Sequence, residues 1–215
     1  MDVIFGQYAS ELLSGVLLTL QFTLIGFAGG FVVGTVLAIF RVSPIAPLRI
    51  AGTIYVEFFR NVPLVALLLL VVYGLPYAGV NLGYFWSVIL AIVSVGAAFA
   101  CETLRTGINA VDKGQVEAAR ALGLGFFGIA RDLVVPQALR TVIGPMVTLF
   151  IGILLSSSLA AVVGMRELTA TMAYVNNREA LGLTPFMVAG AIYIILSLSA
   201  AGVGASLEKR LRVLR

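Results

Sequence analysis

Long stretches without a charged side chain alternate with short polar intervals along these 215 residues. Leu12 to Phe40 runs for 29 residues with no Asp, Glu, Lys or Arg. A helix needs about 20 apolar residues to cross a bilayer core, so this stretch spans with room to tilt. It is too long for a signal peptide and follows Asp2 and Glu11 rather than Lys or Arg. Gly26, Gly30 and Gly34 recur every fourth residue, a stripe against which another helix can pack closely. A loop with Pro44 and Pro47 follows. Asn61 to Cys101 is uncharged for 41 residues, too long for one span, and the turn cluster from Gly74 to Tyr84 divides it. Tyr73, Tyr77, Tyr84 and Trp86 gather there as an interfacial belt. Thr141 to Met165 and Ala180 to Leu207, the latter opening with Thr184-Pro185, complete the set. The pattern predicts an all-α integral membrane protein with five transmembrane helices at 12–40, 50–73, 85–107, 141–165 and 184–207, in one domain covering 1–215. No linker, low-complexity segment or internal repeat interrupts it.

Composition agrees, with 60% hydrophobic and 11% charged residues and a mean hydropathy of +1.08, which excludes a soluble globule. The net charge of +4 does not predict a nucleic-acid partner, because the basic residues flank apolar spans where topology needs them. Arg41, Arg49, Arg105, Lys113, Arg120, Arg131, Arg140, Lys209, Arg210, Arg212 and Arg215 fall on one side or at its boundary; Arg166 and Arg178, each beside a Glu, fall on the other. By the positive-inside rule the N-terminus is outside, and the C-terminus and the loop at 108–140 are cytoplasmic. The tail from Lys209 to Arg215 serves as a topology anchor or contacts anionic lipid. With no histidine and one cysteine, the usual zinc spacings, an intrachain disulfide and a His-dependent triad are excluded. Cys101 reads as a small packing residue. The serine run Ser156-Ser157-Ser158 has no evident base, which counts against a membrane enzyme.

The interval from Arg105 to Arg140 is the most polar part of the chain. Asp112 followed by Gln115 predicts a helix N-cap with a capping-box partner, and Gly123 predicts the C-cap. A second short helix is expected from about Gly125 to Val135, closed by Pro136. The small side chains of Ala118, Ala119 and Ala121 would let a partner groove approach. Two further pairs place charge within apolar spans: Glu57 with Arg60, and Glu102 with Arg105, each three apart and on one helix face. A charge at membrane depth costs roughly 2.5–3.5 kcal/mol, so such groups face partners or water. They read either as two ion pairs holding helices together or as groups lining a path, with Pro63 marking a local break.

Glu117-Ala118-Ala119, then Gly123, Leu133, Val135 and Pro136, stand at the spacing of the Glu-Ala-Ala loop of ABC-importer permeases, and the chain resembles that family along nearly its whole length. EFFRNVPL from Glu57 and CETLRTGI from Cys101 are similar to stretches of the polar amino-acid (histidine/glutamine/glutamate) uptake branch, with Asn61 and Val62 where Gly-Thr is usual. RVSP at Arg41 to Pro44 is similar to glutamate-type permeases. The resemblance implies a type I importer permease fold in the bacterial cytoplasmic membrane. It also implies two separate ATPase subunits that bind the ATP, an extracytoplasmic solute-binding protein, and a second permease sharing the path. Glu117, Ala118, Ala119, Gly123 and Pro136 would couple to the ATPase. The chain has no phosphate-loop motif, and no cofactor or metal of its own is expected. In the fourth span, Leu155-Ser156-Ser157-Ser158-Leu159 stands where many members of the branch carry Lys-Asp-Thr/Ser-Ser-Leu, and Thr148-Leu149 where they carry Asn-Glu. The path set is then Thr148, Ser156, Ser157 and Ser158 with Glu57, Arg60, Glu102 and Arg105, and the departure favours a different chain as permease partner. A passive channel or scaffold, or a permease for another small solute, are the alternatives.

Overall fold

The computed structural model describes residues 2–211, so Arg212 and Arg215 of the basic tail lie outside the described residues. Every regular element among these is helical. After a π turn at Val3–Gln7 come α1 (Ala9–Val42), α2 (Ala46–Asn61), α3 (Leu64–Tyr77), α4 (Gly83–Asn109) and α5 (Lys113–Ala121). They are followed by α6 (Phe126–Val163), α7 (Leu168–Glu179) and α8 (Thr184–Leu211). Four helices, α1, α4, α6 and α8, are long and apolar enough to cross a membrane, and α2 with α3 makes a fifth candidate, bent by 103°.

The bend follows from Val62-Pro63. A residue before proline is driven out of the helical region, and Val62 is extended at φ −88°, ψ 129°. The Asn61 side-chain amide folds back on the last turn and donates 2.6 Å to the Glu57 carbonyl. At 16 residues, α2 is only ~24 Å long. It is too short to cross alone, and Ile50, Ile54 and Phe58 line its exposed side.

The most extensive packing joins α1 to α4. It depends on the glycine stripe: a Cβ on Gly30 would stand 3.1 Å from the backbone of Gly96, and one on Gly34 2.8 Å from the Ala97 carbonyl. Where lipid tails are the alternative environment, apolar contact brings no hydrophobic gain, so close backbone approach and dispersion hold such helices together. Phe22, Leu68, Val88 and Ile92 fill the core between α1, α3 and α4, with Ile153 of α6. A second core joins Leu12 of α1 and Leu154 of α6 to Leu168, Met172 and Val175 of α7 and to Val188 and Tyr193 of α8.

One expectation is corrected by α6. Pro136 does not close a separate short helix; the helix begun at Phe126 runs through it for 38 residues to Val163. Proline lacks the N–H of the regular ladder, and its ring opposes the carbonyl four residues back. The backbone widens to a π turn at Ile129–Val134 immediately before the proline, so the α pattern resumes at Val135 without a stop. The helix is therefore roughly 57 Å long, against about 30 Å for a bilayer core. Its first turns stand clear of the apolar region beside α5.

Candidate functional site

At one end of the bundle, α5 and the start of α6 form a small polar bracket. Asp112 caps α5, its Oδ1 accepting from the Gln115 backbone N–H at 3.2 Å. The second half of the capping box does not form: the Gln115 side chain accepts from Gln137 Nε2 at 2.8 Å and so ties α5 to α6. At the far end Gly123 takes φ +83°. Its N–H reaches the Arg120 carbonyl at 2.9 Å while Leu124 N–H reaches Ala119 at 3.1 Å, a complete Schellman cap. Glu117 and Ala118 face solvent, but Ala119 is buried within the chain, so its small size serves internal packing rather than clearance for a partner. Beyond Gly123, Leu122, Phe126 and Phe127 are 82%, 76% and 85% exposed, an apolar tip with no cover in this chain. Pro136 lies in the stem of α6 behind it.

Of the two i,i+3 pairs expected within apolar stretches, Glu102–Arg105 forms, but as part of a larger cluster. Glu102 is the common acceptor for three arginines on three helices. Arg41 Nη1 at the end of α1 bonds its Oε1, Arg60 Nη1 of α2 stands 3.7 Å from the same oxygen, and Arg105 Nη2 reaches Oε2 at 2.9 Å. Glu57 is exposed and makes no ion pair among the described residues, so the expected Glu57–Arg60 pair is replaced by Arg60–Glu102. The hub holds three cations on one anion and also places Arg60 5.9 Å over the Phe99 ring. The sequence marks Arg41 only as a topology charge, since spacing gives no sign of a contact 61 residues away.

Above Phe99 lies a cleft of about 350 Å³ between α3, α4 and α6. Leu64, Ile92, Val95, Phe99, Pro145 and Leu149 make it mainly apolar; Thr103, Thr148 and Ser156 supply its side-chain hydroxyls. Thr148 and Ser156 of the expected path set line this cleft, together with Thr103, which carried no signal in the sequence. Ser157 and Ser158 do not line it: they turn back on their own helix, donating 2.7 Å to Leu154 and Leu155 carbonyls. Glu57, Arg60, Glu102 and Arg105 do not line it either.

The end of α6 opposite the bracket carries a group that sequence reasoning missed. Glu167 is fully buried and caps α7, accepting from Thr169 and Ala170 N–H at 3.0 and 2.8 Å. It also accepts from Tyr193 of α8 at 2.7 Å and Thr19 of α1 at 3.4 Å, and Thr19 in turn accepts from Leu168 N–H at 3.1 Å. Burial pushes the Glu167 carboxyl above the ordinary glutamate range, while these donors pull it back down. Glutamate is outside the usual N-cap set, so no cap signal marked it.

The geometry has close counterparts. Residues 10–213 match the family model described as binding-protein-dependent transport system inner membrane component. The chain is 32% identical to a Bacillus subtilis protein named "Probable glutamine ABC transporter permease protein GlnM", over 98% of this chain and 97% of that one. It is 32% identical to the glutamate transport system permease protein GluC of Corynebacterium efficiens, over 97% and 98%. A crystal structure of an amino acid ABC transporter with histidines superposes at a TM-score of 0.90, with 30% identity over 95% of each chain. The chain belongs to the binding-protein-dependent transport system inner membrane component family, as a permease of the amino-acid ABC transporter type.

Proposed function

We propose that this chain supplies half of the membrane path of an ATP-driven importer for polar amino acids, glutamate or glutamine among them. It lies in the bacterial cytoplasmic membrane with five spans, α2 and α3 together forming the second, the N-terminus outside and the bracket at α5 and α6 in the cytoplasm. Two ATPase subunits bind the ATP and seat against that bracket. An extracytoplasmic solute-binding protein, of the kind the family description names, delivers the solute on the other side. The observation that carries this reading is the bracket itself: α5, capped at both ends and tied to α6, stands beside an uncovered apolar tip on one end of a bundle that holds a cleft between its helices. A passive channel would have no use for such a tip.

The solute class rests on the named relatives and on the cleft. Three hydroxyls can hydrogen-bond a zwitterion but do not neutralise its charges in an apolar cavity. A second permease of different sequence would bring the charged partners that Leu149, Leu155 and Ser156 do not provide here. The test is co-expression with candidate ATPase and permease partners, native mass measurement of the assembly, and solute uptake with the cognate binding protein. Single cysteines replacing Lys113 and Arg178 in a Cys101→Ala background should label from opposite sides. Labelling of both from outside would refute the orientation, and an active assembly holding two copies of this chain and no other permease would refute the mixed pair.

A further inference from the structure

We infer that α7 is a rigid docking platform on which Arg166 and Arg178 receive carboxylates of the solute-binding protein. This rests on the orientation proposed above. By topology α7 follows the end of α6 opposite the bracket. Arg166 and Arg178 both stack on Tyr174, with guanidinium carbons 4.3 and 5.1 Å from its ring centroid, and neither forms an ion pair among the described residues. The nearby acids are engaged elsewhere: Glu179 accepts from Tyr8 at 2.7 Å and Glu11 from Ser10 at 2.7 Å, while Glu167 is buried. Two cations held by one aromatic ring have already lost much of their rotamer freedom, so little ordering cost remains when a carboxylate arrives.

The exposed side of α7 itself is polar. From Val163 to Gly182 no large apolar side chain is exposed; Leu168, Met172 and Val175 are all turned into the core. A helix lying in the membrane rim would instead show an apolar face to lipid. The platform is also fixed to the spans. Glu167 joins the first turn of α7 to Thr19 of α1 and Tyr193 of α8, so a load on α7 is carried to both helices.

The test uses the assembled transporter in lipid nanodiscs, with its fluorescently labelled binding protein. In the R166Q/R178Q double variant, affinity for the binding protein should fall by about tenfold or more and lose most of its salt dependence, since the steering charges are gone. ATPase activity without binding protein should stay at the wild-type level, which shows that assembly is intact. If the double variant assembles poorly, R178Q alone, which leaves the Arg166–Tyr174 stack, should show a smaller loss of the same kind. Unchanged affinity and salt dependence would overturn the inference. So would a loss seen in discs containing anionic lipid but absent in neutral phosphatidylcholine discs, which would make lipid the partner. A wild-type transporter that binds no solute-binding protein would instead overturn the importer reading itself, and the docking site with it.

Discussion

Glu167→Ala is the sharpest test of what holds the end of the bundle opposite the bracket. The carboxylate serves four donors: two backbone N–H groups of α7 and the hydroxyls of Tyr193 and Thr19. Losing an N-cap costs about 1 kcal/mol. Leaving a buried hydroxyl without its acceptor costs ~1–3 kcal/mol, and Tyr193 loses its acceptor outright. Thr19 loses less, because its bond to Glu167 is the longest of the four at 3.4 Å. The total is roughly 3–5 kcal/mol. At about 2–4 °C per kcal/mol for a chain of this size, the thermal midpoint in detergent should fall by roughly 6–20 °C. Glu167→Gln separates hydrogen bonding from size. Its amide oxygen can take the place of Oε2 and keep three donors, while its NH₂ meets the Ala170 N–H and loses one. That predicts a cost nearer ~1–2 kcal/mol. The assay is thermal unfolding followed by size-exclusion monomer yield, with both variants at one pH. Equal loss in Gln and Ala, or no loss in Ala, would refute the donor count.

Glu167 also predicts a pH effect. A carboxyl raised in the folded state binds more protons than its unfolded counterpart between the two values, so the Glu167 contribution to stability is fully present below the ordinary glutamate range and is lost as pH rises through the raised value; Glu167→Gln should remove that contribution from the slope in pH-resolved melts. Gly123→Ala meets no neighbour within 4 Å but must hold φ +83°. It should cost about 1 kcal/mol and appear as faster hydrogen exchange at Leu122 to Leu124 with the spans unaffected. Glu102→Gln leaves Arg41, Arg60 and Arg105 without their shared anion and should sharply lower the yield of folded protein, whereas Glu57→Gln should not. Equal effects on yield would count against a hub centred on Glu102.

The apolar stretches of the sequence marked α1, α4, α6 and α8, because a run of some 20 uncharged residues has few other uses. The caps on α5 were legible for the same local reason: Asp112 and Gly123 act within four residues of their own backbone partners. What failed was long-range. Glu57 and Arg60 are three apart in sequence, yet Arg60 turns to Glu102 on a different helix. Gln115 turns to Gln137 rather than to its own cap, and Thr19 looked like one more uncharged residue within a span before Glu167 met it. Ser156, Ser157 and Ser158 form one run, but the tighter 3₁₀ winding from Ser157 to Val163 leaves only the first in the cleft. Pattern gives periodicity along one helix; it does not say which helix lies opposite.

Pro136 gives a final prediction that runs against ordinary helix propensity. In an isolated helix interior, Pro→Ala is worth about 3 kcal/mol in favour of the alanine. Here the proline sits at the junction between the π turn at Ile129–Val134 and the regular helix from Val135. The π turn holds one residue more than a regular turn, and it relieves the clash between the proline ring and the Asp132 carbonyl. With alanine at 136 that clash vanishes, the missing N–H is restored, and an unbroken α ladder becomes the lower state. Closing the bulge removes the extra residue from the turn. The start of α6 before Ile129 then rotates about 100° relative to the span, the angle per residue at 3.6 per turn. Phe126 and Phe127 would swing to a different side of the bundle, while α5 stays tied to Gln137 on the span side of the bulge. Pro136→Ala should therefore raise the thermal midpoint of the permease while breaking the link between ATP hydrolysis and uptake. The comparison is uptake per ATP hydrolysed in reconstituted wild type and variant, with hydrogen exchange across 126–136 reporting whether the bulge has closed. Closed exchange behaviour with unchanged uptake per ATP would show that the position of the apolar tip does not control coupling.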